Sequence, residues 1–386
     1  MLPWHGRAGR PGNVSIERAV LLVVNAINPS ELDLGLDTFG DVTVDADGHP
    51  LPADQVLRNL VAEAAMADQV GVDNIGIGEH HRPDFAVSSP ETVLAAIAGQ
   101  TERIRLGSAV TVLSSDDPIR VFQRFATLDA VSNGRAEVVL GRGSFVESFP
   151  LFGYPLDQYE VLFEEKLDLF RRLLDEQPVH WSGTTRAPLE GQPVVPATAQ
   201  GLKTWVGVGG SPESVVRAAR HGLPLIIAII GGDSVRFKPF VDLYHRANDE
   251  LGNGVLPVGV HSPGFVADTD AEAREILRPH WLAMRNKLGA ERGWGRASNG
   301  EFDAAANSPT SSLYVGSPDT VARKIVTTVS ELGLSRFNLK YSSGTLPHEH
   351  MLRSVELYGT EVIPRVRELL AETGQVPTGE PVSLVG

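Results

Sequence analysis

The chain has 386 residues, with 48 Asp and Glu against 34 Lys and Arg, a net charge of −14 and no cysteine. That charge argues against a nucleic-acid footprint, and the missing thiols exclude disulfides, thiolate metal sites and cysteine nucleophiles. An apolar content of 42 % and a charged content of 21 % are those of a globular protein able to bury a large core.

Residues 1–30 are rich in Gly, Pro and Arg and then briefly apolar, and they read as an N-terminal extension. Within them Ala19–Ile27 (AVLLVVNAI) is too short to span a bilayer, and no small-residue cleavage site follows it. Neither a membrane nor secretion is expected, and the protein is placed in the cytoplasm. Asp33–Thr38 reads as the first strand, with Phe39-Gly40-Asp41 in the loop beyond it. Leu57, Leu60, Val61, Ala64 and Ala65 then form a helical stripe over Gln55–Val70, with Gly71 as the stop.

The same unit recurs. Strand Asn74–Gly78 precedes helix Pro90–Gln100. Strand Arg105–Leu113 precedes helix Pro118–Val131, with Asp117 as its N-cap. Strand Ala136–Gly141 precedes helix Asp157–Leu174. Residues 178–202, rich in Pro, Gly and Thr, read as an excursion. Strand Thr204–Val208 and helix Pro212–His221 follow, then strand Leu225–Ile230 and helix Val235–Leu251, then strand Pro257–Val266. Residues 279–312 read as irregular. Helix Pro318–Leu332, strand Arg336–Lys340 and helix Met351–Ala371 complete the pattern, ahead of a Pro/Gly-rich tail at 374–386.

Strands alternating with helices at this period predict parallel pairing and crossover helices. Eight such units predict an α/β protein with a (β/α)8 TIM barrel over 31–373 as a single domain, with insertions at its C-terminal face. A doubly wound open sheet is the alternative. No GxGxxG opens a helix after the first strand, which argues against a dinucleotide fold.

Four features carry chemistry. Glu79-His80-His81 lies where the second strand runs out, at the end where α/β enzymes keep their reactive groups. Adjacent side chains on extended backbone point apart, so one histidine at most faces the mouth and can act as a general base. The bland alternative is a hydrogen-bonded histidine, with Glu79 paired to Arg82 or Arg103. Next, SSPETV, GSPESV and GSPDTV each look like a helix start at Ser89, Ser211 and Ser317. Only the middle copy follows a glycine pair, Gly209-Gly210, that lets a ligand approach the backbone. Third, Arg142 between Gly141 and Gly143 can grip a phosphate with its planar fork, or can be a salt-bridged loop arginine. Last, His348-Glu349-His350 with His80 and His81 raises a metal site. The end of the first strand, Asp37-Thr38-Phe39-Gly40, offers no histidine to complete one, and no metal is expected.

The blocks GEHHRPDF, RIRLGSAVTVLSSDDPIR, FATLDAVSNGRAEVVLGRGS, GGSPESVVRAARHGLPL and ELYGTEVIPRVR stand in an order and spacing that resemble the bacterial luciferase-like flavin-dependent monooxygenases, over about Glu31 to Arg367. The resemblance implies a (β/α)8 barrel with FMN at the carboxyl ends of the strands. It implies reduced FMN supplied by a separate flavin reductase, O2, and a small organic substrate left open among aldehyde, sulfonate, alkane and heterocycle. A homodimer or higher homo-oligomer is implied too. His80 aligns with the family's catalytic base. Ala109 and Val110 fall where the family has a non-proline cis peptide beneath the flavin ring. Arg142 and Gly143, with Gly210, Ser211 and Ser214, align with the phosphate cradle, and Tyr159 with a tyrosine lining the flavin site. Residues 279–312 align with a mobile lid. Gly141 stands where luciferase has a reactive cysteine, so light emission is not implied. Phe39, Phe85, Phe145 and Phe149 are the expected apolar walls. Some relatives use a deazaflavin for hydride transfer and others bind flavin without turnover; these are the alternative readings.

Overall fold

Eight parallel strands pair in a closed ring in the computed structural model, which describes residues 28–45 and 47–374. They are β1 (Asp33–Thr38), β2 (Asn74–Ile77), β3 (Arg105–Ser108), β4 (Ala136–Gly141), β5 (Lys203–Val208), β6 (Leu225–Ala228), β7 (Val258–Val266) and β8 (Arg336–Lys340). Each pairs with the next in chain order. The ring closes where Arg336 of β8 lies level with Gly259 of β7 on one side and Asp33 of β1 on the other. Helices connect the strands, so the architecture is the expected (β/α)8 barrel rather than an open sheet. The extension before residue 28, with its apolar Ala19–Ile27 run, and the tail beyond 374 lie outside the described residues. No described helix is long and apolar enough to cross a membrane.

The period-2 alternation of the strands builds two cores. Leu34, Leu36, Ile75, Ile77, Leu106, Val138, Leu140, Val206, Leu225, Ile227, Val260, Phe337 and Leu339 face outward into one large apolar cluster under the helices. The alternate positions line the bore. Val139, Trp205 and Ile226 form a small separate cluster there, with Val110 against it. Below it the bore is polar. Arg336 and Glu137, each 1 % exposed, make an ion pair of 2.6 Å. Arg336 also donates to Asn74 Oδ1 (2.7 Å), and Asn338 donates to Asn74 Oδ1 (2.9 Å) and Asp37 Oδ1 (2.8 Å). A Cβ at Gly76 would stand 2.1 Å from Asp37 Oδ1, so glycine at that inward position makes room for the carboxylate.

Several elements differ from the sequence reading. The strand expected over Arg105–Leu113 stops at Ser108 and resumes as Thr111–Val112 against Leu140 and Gly141, with a cis Ala109–Val110 peptide between the two pieces. Residues 279–312 are largely helical, not irregular: Asp270–Arg292 is one helix and Asn299–Asn307 another. Pro279 sits inside the first helix, and Ser298 with Glu301 forms a capping box that starts the second. Tyr314–Gly316 pairs with the far end of β7, and the 178–202 excursion folds back as a hairpin, Val179–Trp181 against Leu189–Gln192. The last helix is two, His348–Leu357 and Ile363–Gly374, joined by a wide turn over Tyr358–Val362.

Candidate active site

The loops after β1, β2, β4 and β5 converge at the carboxyl end of the barrel. The two histidines after β2 part as extended backbone requires. Glu79, buried, holds the loop from inside: its Oε2 accepts from the Val112 backbone (2.9 Å) and its Oε1 meets His81 Nε2 (2.8 Å). Neither Arg82 nor Arg103 pairs with it. Arg82 instead gathers Glu147, Asp84 (3.3 Å) and Glu291 (2.6 Å), and Arg103 donates to the Asp68 carbonyl (2.6 Å).

His80 turns the other way, into a box of three phenylalanine rings. Its centroid lies 4.5 Å from Phe85, 4.8 Å from Phe39 and 4.9 Å from Phe145. Its Nε2 is buried without a partner. Burial is the main force lowering its pKa from 6.5 to about 4; Asp41 opposes the shift, and Lys340 and Arg82 add to it. At neutral pH the group is therefore a neutral imidazole whose Nε2 is enclosed among the phenylalanine rings without a hydrogen-bond partner. Phe149 is no chamber wall: it is fully buried, packed 5.4 Å from the Tyr159 ring.

The second cluster joins the ends of β4 and β5. Arg142 Nη2 donates to Ser214 Oγ (3.3 Å), Ser214 Oγ lies 2.8 Å from Ser211 Oγ, and the Ser214 amide donates to Ser211 Oγ (3.3 Å). Tyr159 lies beneath Arg142, 5.2 Å from ring to guanidinium, and donates to the Gly143 carbonyl (2.8 Å). Arg142 is also ion-paired with the exposed Glu160, so the loop-arginine contact and the open cradle coexist. All three Ser-Pro copies start helices, at Pro90, Pro212 and Pro318, yet only Ser211 caps its helix with its side chain. Gly210 has φ +89°, with space for a Cβ closed by Phe237 at 2.9 Å, while nothing stands within 4 Å of a Cβ at Gly209. Backbone donors, two hydroxyls and a guanidinium thus surround an approachable turn at a helix N-terminus.

Between the two clusters runs the Ala109–Val110 segment. Val110 is the reason for a glycine at 141: a Cβ there would come 2.5 Å from Val110 Cγ2. His348 does not join His80 or His81 in any grouping of metal-ligand spacing among the described residues; its Nδ1 pairs with Glu63 Oε1 at 2.6 Å. Sequence reasoning missed the buried Asp37–His261 contact (2.6 Å) and the Lys340–Asp41 pair (3.0 Å) beside Phe39. Their only local signal is an ionisable residue at an inward strand position.

The sequence profile of the luciferase-like monooxygenases matches residues 38–336. The chain belongs to that family. The 4-hydroxyprotoasukamycin monooxygenase of Streptomyces nodosus subsp. asukaensis is 30 % identical over 63 % of this chain and 68 % of its own. The alkanal monooxygenase alpha chain of Photorhabdus luminescens is 26 % identical over 59 % of this chain and 64 % of its own. Among solved structures, monooxygenase RslO1 from Streptomyces bottropensis superposes with TM-score 0.74 at 24 % identity, covering 86 % of this chain and 99 % of its own. The oxygenating constituent of 3,6-diketocamphane monooxygenase from Pseudomonas putida, solved with FMN, gives 0.69 at 20 % identity over 87 % of this chain and 98 % of its own. A coenzyme F420-dependent tetrahydromethanopterin reductase from Methanopyrus kandleri gives 0.62 at 18 % identity, over 87 % and 99 %. As a luciferase-like monooxygenase the chain is an enzyme of the monooxygenase class. A side chain at 141 would require Val110 to shift.

Proposed function

We propose that this luciferase-like monooxygenase uses reduced FMN, delivered by a separate reductase, and O2 to oxygenate a small apolar organic substrate. The observation that carries the reading is the placement of an anion cradle and a buried, unpartnered imidazole at one barrel mouth. A flavin phosphate suits the cradle: Arg142 supplies a planar cationic fork, Ser211 and Ser214 supply hydroxyls, and the Gly209-Gly210 turn lets the phosphate reach backbone amides. When bound, reduced flavin supplies the electrons that activate oxygen. The protein's own part is to exclude water with Phe39, Phe85 and Phe145, and to keep His80 neutral among them, so that one ring nitrogen remains an acceptor for a proton. Tyr159 packs beneath Arg142 and fixes the Gly143 carbonyl, which sets the guanidinium's position.

The test mixes the protein anaerobically with photoreduced FMN, then adds O2 in a stopped-flow cell. Oxidation through a transient absorption absent from free flavin supports the reading, and oxidation as in buffer counts against it. A deazaflavin used for hydride transfer is the second reading, favoured by the F420-dependent reductase that shares the barrel. Tight deazaflavin binding with no oxygen uptake would select it. Flavin that binds with neither outcome would mark a non-catalytic flavoprotein.

A further inference from the structure

Asp37 on β1 and His261 on β7 meet across the bore, Oδ2 to Nδ1, at 2.6 Å. They are 2 % and 7 % exposed. A carboxylate only accepts, so Nδ1 carries the proton in this bond. The other carboxylate oxygen accepts from Asn338 (2.8 Å), and Asn338 is held in turn by Arg336 (3.0 Å). Asp37 is thus locked in place, and it fixes both the tautomer and the orientation of His261. Nε2 is left with no protein partner among the described residues.

The pair also stands at the mouth. His261 stacks on the Phe39 ring at 5.7 Å and 17°, and His80 meets the same ring edge-on at 4.8 Å. Lys340 Nζ lies 4.8 Å from that ring's centroid. The position a Cβ would take at Gly76 is 2.1 Å from Asp37 Oδ1 and 2.8 Å from Ala109 Cβ, so the carboxylate lies against the Ala109–Val110 segment. The charged and titratable groups around His261 are therefore Asp37 from β1, His80 from the loop after β2, and Lys340 from β8 with its partner Asp41.

We propose that Asp37 and His261 form a second acid–base pair, built to take the proton of an acidic hydroxyl on an apolar substrate of the phenol or enol class. His261 would be the catalytic residue and Asp37 its positioning partner. The proton passes from substrate oxygen to Nε2, and the imidazolium is compensated by Asp37. The electron pair would delocalise to the carbon ortho or para to the phenol oxygen, or to the α-carbon of an enol, and that carbon would bond to one atom of O2 as the O–O bond breaks. The other atom would leave as water with the two electrons and two protons that reduced flavin supplies, and Nε2 would return its proton to an oxygen of the product; in a phenol, the proton displaced from the oxygenated carbon goes to the other oxygen. The surroundings agree with this class: Phe39, on which His261 stacks, lies within a cluster of aromatic rings with Phe85 and Phe145, whose faces and edges suit a flat unsaturated ring. The inference rests on the flavin reading above for its oxygen chemistry, and on the dyad's geometry for the proton.

The experiment uses 4-nitrophenol as probe on the full chain, because its ionised form absorbs in the visible. With the probe held about one pH unit below its free pKa, the bound fraction is expected to be mainly ionised, at least about a tenfold shift in the ionisation equilibrium. His261→Gln and Asp37→Asn are expected to abolish that shift. Both are near-isosteric, and circular dichroism melts identify any variant that fails to fold, in which case the other decides. In the flavin-free protein, nitrogen NMR of labelled histidine is expected to show His261 protonated at Nδ1 and bare at Nε2, a pattern lost in Asp37→Asn. A probe that binds but stays protonated, a probe that ionises equally in His261→Gln, no probe binding at about 1 mM, or a wild-type Nε2–H tautomer each overturns the proposal. FMN binding, measured separately by flavin fluorescence, is expected to survive in both variants. Failure of the wild type to bind FMN while the probe ionises would sink the flavin reading and leave the dyad standing.

Discussion

Acidification reads the environment of His80 directly. Burial among Phe39, Phe85 and Phe145 lowers its pKa from 6.5 to about 4, so the folded protein resists charging this imidazole while the unfolded chain does not. The folded value lies below the unfolded one. Between about pH 6.5 and about pH 4 the unfolded state therefore binds the extra proton, and stability falls as pH falls through that window. At about pH 5 the unfolded imidazole is almost fully protonated and the folded one about one-tenth, which is worth about 2 kcal/mol. Urea unfolding of the wild type and of His80→Gln, at about pH 7.5 and about pH 5, isolates this contribution, because the carboxylates that also weaken the fold in acid are common to both proteins. The wild type is expected to lose about 2 kcal/mol more than the variant over that interval. Equal losses, or a His80 NMR titration centred near its ordinary value, would refute the argument that the phenylalanine box sets the charge of this residue.

Arg142→Ala is expected to weaken FMN binding at least about tenfold, and Glu160→Gln, which frees the same guanidinium, to tighten it a few-fold; fluorescence titration that reverses this order would show that the arginine serves only the loop. Arg82→Ala leaves Glu147, Asp84 and Glu291 without their shared cation, so faster amide exchange is expected near the C-terminal end of the Asp270–Arg292 helix, with the barrel strands unchanged. Arg336→Met leaves the buried Glu137 carboxylate with only Arg105 at 3.7 Å and is expected to cost about 3 kcal/mol in urea unfolding, most of it recovered by adding Glu137→Gln.

How the mouth was legible depends on the residue. His80 was recognisable because it follows a short strand, and Arg142 because glycines flank it. The SSPETV, GSPESV and GSPDTV segments were correctly read as helix starts, yet nothing local explained why only Ser211 uses its side chain as a cap beside a partner arginine. The loop position of Phe149 points to a wall, whereas the short helix Ser148–Phe152 packs it against Tyr159. The irregular reading of 279–312 lacks a strong local signal against it; the Ser298…Glu301 box that starts the second helix is the one available.

The sequence by itself determined parallel strands with crossover helices, and their number pointed to a barrel; the pairing of β1 with β8 decided closure over an open sheet. It also placed the candidate groups, His80, Arg142 and Ser211, at the carboxyl ends of the strands. Only the tertiary structure decided the partnerships inside the bore. Asp37 meets His261 at a separation of 224 residues, and Asn74 meets Arg336 at 262, because closing the ring brings inward side chains of non-neighbouring strands face to face. Val110 crowds Gly141 because the broken strand brings it against the neighbouring end of β4. Spacing along the chain specifies which face a residue occupies; the distance across a closed barrel is set by strand number and stagger together, and no single segment encodes it.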